Sequence, residues 1–308
     1  MLKIERMRRG VVLFITLSVI AAMLAMVGVI FAYLGKSRES ASHTAALIEA
    51  DLLLSDSRDM IEALLKKGSA DKEIKKTILS TLYLAPVTLQ AEENEALFAT
   101  LNCQPMDGGI DINWLGLENN SSAAYLYGAV ESLFDQLVER YNVRNPARLL
   151  ARIRQAVDGG AQSQEEEKGR LEQKKGIISL LQFREIVRAY RFEEDDASVE
   201  KIVWENYFSF DPKSDKADGN YLSAELIASY FDMEPDFVDE EWSVGDDLKK
   251  FVAENGGDMS KYNTKLFAAE AIERMRCRIS YGYEGSVYAF GFDYLEGEAE
   301  SFEFFGKE

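Results

Sequence analysis

A chain of 308 residues with 47% apolar and 11% aromatic side chains can fill a substantial core, which excludes extensive disorder. Its formal net charge of −18 repels nucleic acid and anionic lipid, and no basic patch with interleaved aromatics offsets that charge. One histidine and two cysteines leave no materials for a zinc site.

Residues 11–34 read VVLFITLSVIAAMLAMVGVIFAYL, without one charged side chain. At 1.5 Å per residue, a helix of that length covers about 36 Å, more than the roughly 30 Å of a hydrocarbon core. Lys3, Arg6, Arg8 and Arg9 precede the run, and only Lys36 and Arg38 follow closely. That asymmetry predicts a cytoplasmic N-terminus, with the bulk of the chain exported. A cleaved secretory signal would have a shorter apolar region and a clear small-residue cleavage site, which AYLGKSRES lacks. A buried core helix would carry polar interruptions. The expectation is therefore a single spanning helix. Arg8-Arg9-Gly10 abuts it, so Gly10 stands at the membrane face after a ten-residue basic leader.

From residue 40 to 67 the apolar positions Ala46, Ile48, Leu52, Leu53, Met60, Ile61, Leu64 and Leu65 recur mostly at three- and four-residue steps. Lys66-Lys67-Gly68 then ends the helix. Residues 35–68 thus read as an amphipathic extension of the spanning helix. The stripe over 47–65 would pack on the domain behind it. Residues 69–308 read as an exported globular domain. Within it, ILSTLYLAPVTLQ, ALFATLNC and GIDINWLGL are short apolar runs broken by Pro86, Pro105 and Gly108-Gly109, and read as strands or short mixed elements. Residues 123–140 are helical, with Ser121 or Ser122 as candidate N-cap. Asn145 caps a second helix, with Pro146 at its first position, to about Val157.

Residues 158–175 read as a solvated loop. SLLQFREIVRAY and LSAELIASYF are further helices, each beginning at a Ser. RISYGY, SVYAFGFDYL and SFEFFG are aromatic and β-prone, and Glu284-Gly285 joins the first two as a hairpin. The fold class expected is α+β: a long N-terminal transmembrane helix and a pilin-like small sheet. A large α-helical insertion spans about 120–275, and C-terminal strands span about 278–306.

Cys103 and Cys277 are compatible with one disulfide in an oxidising compartment, or with two separate buried thiols. His43 lies in a polar stretch just past the membrane and makes a poor catalytic base. Asp211, Asp215, Asp218 and Glu225 faintly resemble a calcium loop. Aligning Gly219 with the central glycine of an EF-hand puts Ser214 and Lys216 at ligand positions, so that alignment fails. The run Glu193-Glu194-Asp195-Asp196 reads as a solvated face. No nucleophile elbow, phosphate-cradling loop or dinucleotide fingerprint occurs. Neither a catalytic residue nor a metal or other cofactor is expected.

The order of elements resembles the K-type minor pseudopilins of type II secretion systems, over most of the chain. RRGVVLFITLSVIAAMLA is similar to that family's leader junction and anchor. Ile15 stands where most pseudopilins carry Glu, five residues after the cut, and the K type is the member that lacks this Glu. GGIDINWLGL is similar to the family's G-x-I-N-x-N-x-L strand. SLLQFREIV resembles its s-x-x-E-L-x-x-V segment, with Phe183-Arg184 replacing Glu-Leu, and DGNYLSAELIASYF is similar to its N-x-N-T-A-x-x-x-L segment. The family's acidic D-W-x-D-x-D calcium element has no counterpart in AVDGGAQSQEEE, where only Asp158 remains.

The resemblance implies a structural assembly component at or near the tip of a pseudopilus, in the bacterial inner membrane with its globular domain periplasmic. Prepilin peptidase would cut after Gly10, and the new amine on Val11 would be methylated. Its partners would be other minor pseudopilins, inner-membrane secretion components and membrane lipid. The alternatives are a single-pass anchored periplasmic binding or scaffold protein without leader processing, and an anchored hydrolase using exposed carboxylates.

Overall fold

The computed structural model describes residues 2–68, 71–90, 98–159, 176–295 and 297–307, apart from the side chains of 2–13, Ile15, Lys72 and Gln90. Its helices are α1 (Leu2–Gly68), α2 (Lys72–Leu84), α3 (Ala124–Arg140), α4 (Pro146–Val157), α5 (Leu180–Glu194), α6 (Ala224–Tyr230), α7 (Pro235–Glu241) and α8 (Leu248–Glu254). Its strands are β1 (Val87–Gln90), β2 (Phe98–Pro105), β3 (Ile110–Asp111), β4 (Phe208–Ser209), β5 (Ala217–Asp218), β6 (Phe267–Ala268), β7 (Arg274–Tyr283), β8 (Ser286–Leu295) and β9 (Glu298–Lys307).

The 67 residues of α1 make one helix about 100 Å long. Its membrane-distal half lies on a five-stranded antiparallel sheet of order β1-β2-β7-β8-β9. Alternation along the strands turns Leu101, Cys103, Cys277, Ile279, Tyr281, Phe290 and Phe292 towards α1, where they bury Ala46, Ala50, Ile61 and Leu65. Glu284 and Gly285 both have positive φ, 47° and 75°, as a two-residue hairpin loop requires.

The described residues between β2 and β7 form a largely helical insertion with its own core. Trp114, Leu133, Phe134, Phe183, Trp204 and Phe231 are buried there. Trp204 stacks on Phe134 at 6.4 Å and meets Phe183 edge-on at 5.3 Å between ring centroids. Ser179, Ser223 and Asn145 cap α5, α6 and α4 by accepting from Gln182, Leu226 and Arg148 amides. The architecture is α+β: a long helix over a small antiparallel sheet, with a large helical insertion.

Several boundaries differ from the sequence expectation. ILSTLYL is the second half of helix α2 rather than a strand. Asp71 caps that helix by accepting from the Glu73 amide, and Leu79 and Leu82 are buried one turn apart. The strand starts only at Val87, past Pro86, which cannot donate to a ladder. GIDINWLGL contributes just two strand residues before a 3₁₀ turn at Ile112–Leu117. No side chain caps α3 itself, and the 3₁₀ turn Ser121–Ala123 ahead of it is capped by Asn120 rather than by Ser121 or Ser122. Its Oδ1 accepts from the Ser122 amide at 3.2 Å and the Ser122 hydroxyl at 2.6 Å. The insertion leaves the sheet at Pro105, because Ile110, Ile112, Trp114 and Leu115 belong to its core, and the sheet resumes at Arg274 rather than near 278. The loop expected over 158–175 lies outside the described residues from 160 onward.

Candidate assembly site

Among the described residues one helix is long and apolar enough to cross a membrane, Thr16–Gly68. Its 18-residue window has a mean hydropathy of 2.5 and is 0% buried. A core helix would be covered by its own fold, whereas Leu24, Met26 and Phe31 are bare. This is the geometry of a single-pass anchor. Gly10, Val11 and Ile15 lie on helical backbone at its start. The surroundings of the Val11 and Ile15 side chains fall outside the described residues.

Beyond the apolar run the helix changes partner from solvent to sheet. Ser42 Oγ donates to Glu284 Oε2 at 2.9 Å, at the β7–β8 hairpin. The His43 ring meets Phe304 of β9 edge-on at 5.4 Å, so this histidine packs against the sheet. Tyr281 donates its hydroxyl to the Ala46 carbonyl. Ala46 and Ala50 admit the strands closely because their side chains are small, and both are fully buried.

Cys103 and Cys277 face each other across β2 and β7 and are joined by a disulfide. The bond ties together the strands from which the insertion departs and to which it returns.

The segments that resemble the family's motifs have structural work in the insertion. Asp111 accepts from the Asn113 amide at 2.7 Å and the Asp211 amide at 2.6 Å. Asn113 clamps Ile177, donating to its carbonyl at 2.9 Å and accepting from its amide at 2.6 Å. Phe183, which with Arg184 stands where the resembling segment has Glu-Leu, is fully buried in the insertion's core. Asp218 accepts from the Asn220 amide at 3.0 Å and the Ile272 amide at 2.6 Å, pinning the returning chain.

The two acidic runs divide between surface and interior. In the first, Glu193 pairs with Arg148 and Arg152 on the surface, while Asp196 is buried and accepts from the Arg144 amide at 2.8 Å. In the second, Asp211 and Asp218 are buried, whereas Asp215 and Glu225 are exposed and Glu225 accepts from Asn206 Nδ2 at 2.8 Å. The expectation that the first run is a solvated face therefore holds only in part, because Asp196 is buried. Interior carboxylates were hidden because their partners lie far away in sequence, as Arg274 does from Asp107 and Asp211. Among the described residues, no three His, Cys, Asp or Glu side chains form a group able to hold a metal ion.

No family model matches the chain. No curated protein matches it either. Among solved structures, it is similar to a chain in the crystal structure of the GspK-GspI-GspJ complex from the enterotoxigenic Escherichia coli type 2 secretion system. The identity is 10%, over 82% of this chain and 98% of that chain, with a TM-score of 0.48.

Proposed function

We propose that the chain is a K-type minor pseudopilin, a structural subunit at or near the tip of a type II secretion pseudopilus that supports protein export. The observation that carries this reading is the continuity of α1. One helix carries a basic junction ending in Gly10, is bare from Thr16 to Leu34, and then packs on the sheet between Ala46 and Leu65. Such a helix can leave the bilayer and pack among its relatives without refolding the domain it carries. Ile15 offers no carboxylate to a neighbour's N-terminal amine, which suits a subunit that starts a fibre. The insertion adds bulk beside the sheet, where a subunit stacked above would collide with it.

On this reading Gly10 precedes the prepilin peptidase cut and Val11 becomes the methylated N-terminus. The N-terminus is cytoplasmic, and the domain from residue 35 onward is periplasmic. Its neighbours are other minor pseudopilins and inner-membrane secretion components, with lipid around the anchor. Mass spectrometry of the mature protein tests this directly: the expected species begins at N-methylated Val11, and Gly10→Glu abolishes it. An intact Met1 or a cut near residue 36 overturns the reading, and an intact chain favours an unprocessed anchored scaffold.

A further inference from the structure

The chain crosses between sheet and insertion twice, at 105–110 on the way out and 268–274 on the way back. A backbone bond ties the crossings together, Met106 N donating to the Arg274 carbonyl at 3.1 Å. A second ties the outgoing crossing to β5, Asp218 N donating to the Asp107 carbonyl at 2.8 Å. Four carboxylates, Asp107, Asp111, Asp211 and Asp218, are buried at this junction, none more than 6% exposed. Arg274 reaches between two of them, with Nη1 3.4 Å from Asp107 and Nη2 bonded to Asp211. Lys75 on α2 is engaged with Glu273.

Fully ionised, these four carboxylates would share one buried guanidinium. Amides of Asn113 and Asp211 donate to Asp111, and those of Asn220 and Ile272 donate to Asp218. That leaves Asp107 the least compensated in a medium that solvates charge poorly. Two atoms in the same neighbourhood are also buried without a hydrogen bond: Asp107 Oδ2, whose ion-pair partner is Arg274 Nη1 at 3.4 Å, and the Tyr83 hydroxyl of α2. A proton on a carboxyl removes one charge and supplies one donor.

We propose that this cluster is a proton-operated latch: partly protonated, it seats the helical insertion against the sheet, and fully ionised, it loosens both crossings. Burial pushes the carboxyls of Asp107, Asp111 and Asp218 up from their ordinary values. Hydrogen bonds oppose the rise, from Ser214 at Asp107, from Asn113 and Ser209 at Asp111, and from Ile272 and Asn220 at Asp218. The charges of Arg274 at Asp107 and Lys75 at Asp218 oppose it further. Asp218 and the exposed Asp215 reinforce it at Asp107, and the insertion's Asp107 reinforces it at Asp111. Tyr83 of α2 and Tyr221 face Asp218, and Glu273 faces Tyr83. A raised folded value makes the stabilising contribution fully present below the ordinary aspartate value of about 4, and lost as pH rises through the raised value. The latch therefore opens towards alkaline pH.

Hydrogen exchange on the full chain in detergent, corrected for the intrinsic pH dependence of amide chemistry, tests it between pH 5.5 and 8.5. Protection over 105–111 and 268–274 is expected to fall about tenfold or more with rising pH, while β8 holds steady. Asp107→Asn, which mimics the protonated form, should flatten that profile. A flat wild-type profile overturns the latch, as does an unchanged slope in Asp107→Asn. Should that variant fail to fold, as loss of protection in β8 would show, the exposed Asp215→Asn decides. Removing its charge should move the transition to lower pH, and an unmoved transition overturns the proposal.

Discussion

Cys103 on β2 and Cys277 on β7 are register partners, and their disulfide closes a loop of 174 residues that contains the whole helical insertion. A crosslink across so long a loop removes much entropy from the unfolded chain, worth about 5 kcal/mol in the loop-entropy model and about 2–5 kcal/mol in measured cases. Cys103→Ser with Cys277→Ser, or reduction of the full chain in detergent, should lower the urea midpoint accordingly. The same midpoint with and without reductant would show that the adjacent strands hold the insertion unaided.

Ala50 is fully buried where α1 lies on the sheet, one helical turn from Ala46, whose carbonyl accepts the Tyr281 hydroxyl. Ala50→Leu adds three carbons where the strands leave no room, and overpacking of this kind costs about 1–3 kcal/mol. On the opposite, exposed side Ile48→Ala should change stability by less than about 0.5 kcal/mol. Urea unfolding of the two variants compares them, and equal effects would mean that α1 does not seat through its small residues.

Local chemistry carried much of the fold, and distant pairing carried the rest. The anchor, the caps at Asn145, Ser179 and Ser223 and the Glu284-Gly285 turn each depend on residues close in sequence, so they were legible there. Helix α2 was not: Ile74, Thr77, Ile78, Thr81 and Tyr83 are strand-prone, and tertiary burial of Leu79 and Leu82 overrides that preference. At the insertion junction, Asp107 carries no local signal, and Asp211 reads only as part of a calcium-loop alignment that fails. Their role emerges when Arg274, 167 and 63 residues away, is folded between them. At the membrane end, Gly10 and Ile15 were legible as sequence features, and their role rests on processing and assembly.

Gly109 sits where β3 runs beside β4. A Cβ there would lie 2.9 Å from the Phe208 carbonyl carbon and 2.9 Å from the Ser209 amide nitrogen, both backbone atoms that cannot move aside cheaply. Ser209 Oγ also donates to the Gly109 carbonyl at 3.2 Å. Gly109→Ala should therefore cost about 1–3 kcal/mol by forcing β3 from β4. Gly285→Ala, with open space around it but φ of 75°, should weaken the protein through backbone strain alone, by roughly 1 kcal/mol. Denaturant midpoints would separate the two, and a neutral Gly109→Ala would rule out close backbone approach at that point.

Thermal stability should pass through a maximum on the acid side of neutrality, because two sets of buried carboxyls pull in opposite directions. Asp107, Asp111 and Asp218 are raised by burial, so their contribution grows as pH falls from neutral towards the ordinary aspartate value of about 4. Asp196 behaves in the reverse sense. Burial pushes it up, but bonds from Ser198, the Arg144 amide and the Tyr190 hydroxyl outweigh burial and hold it below its ordinary value. Its contribution is present above about pH 4 and is lost as pH falls through the lowered value. The melting temperature should rise from pH 8 to about 5 and then drop below about 4. Asp196→Asn should flatten the acid limb and leave the neutral limb intact. A melting temperature that falls steadily from pH 7 to 5 would mean that the junction carboxyls are ionised and compensated in the folded chain, contrary to their burial around a single Arg274.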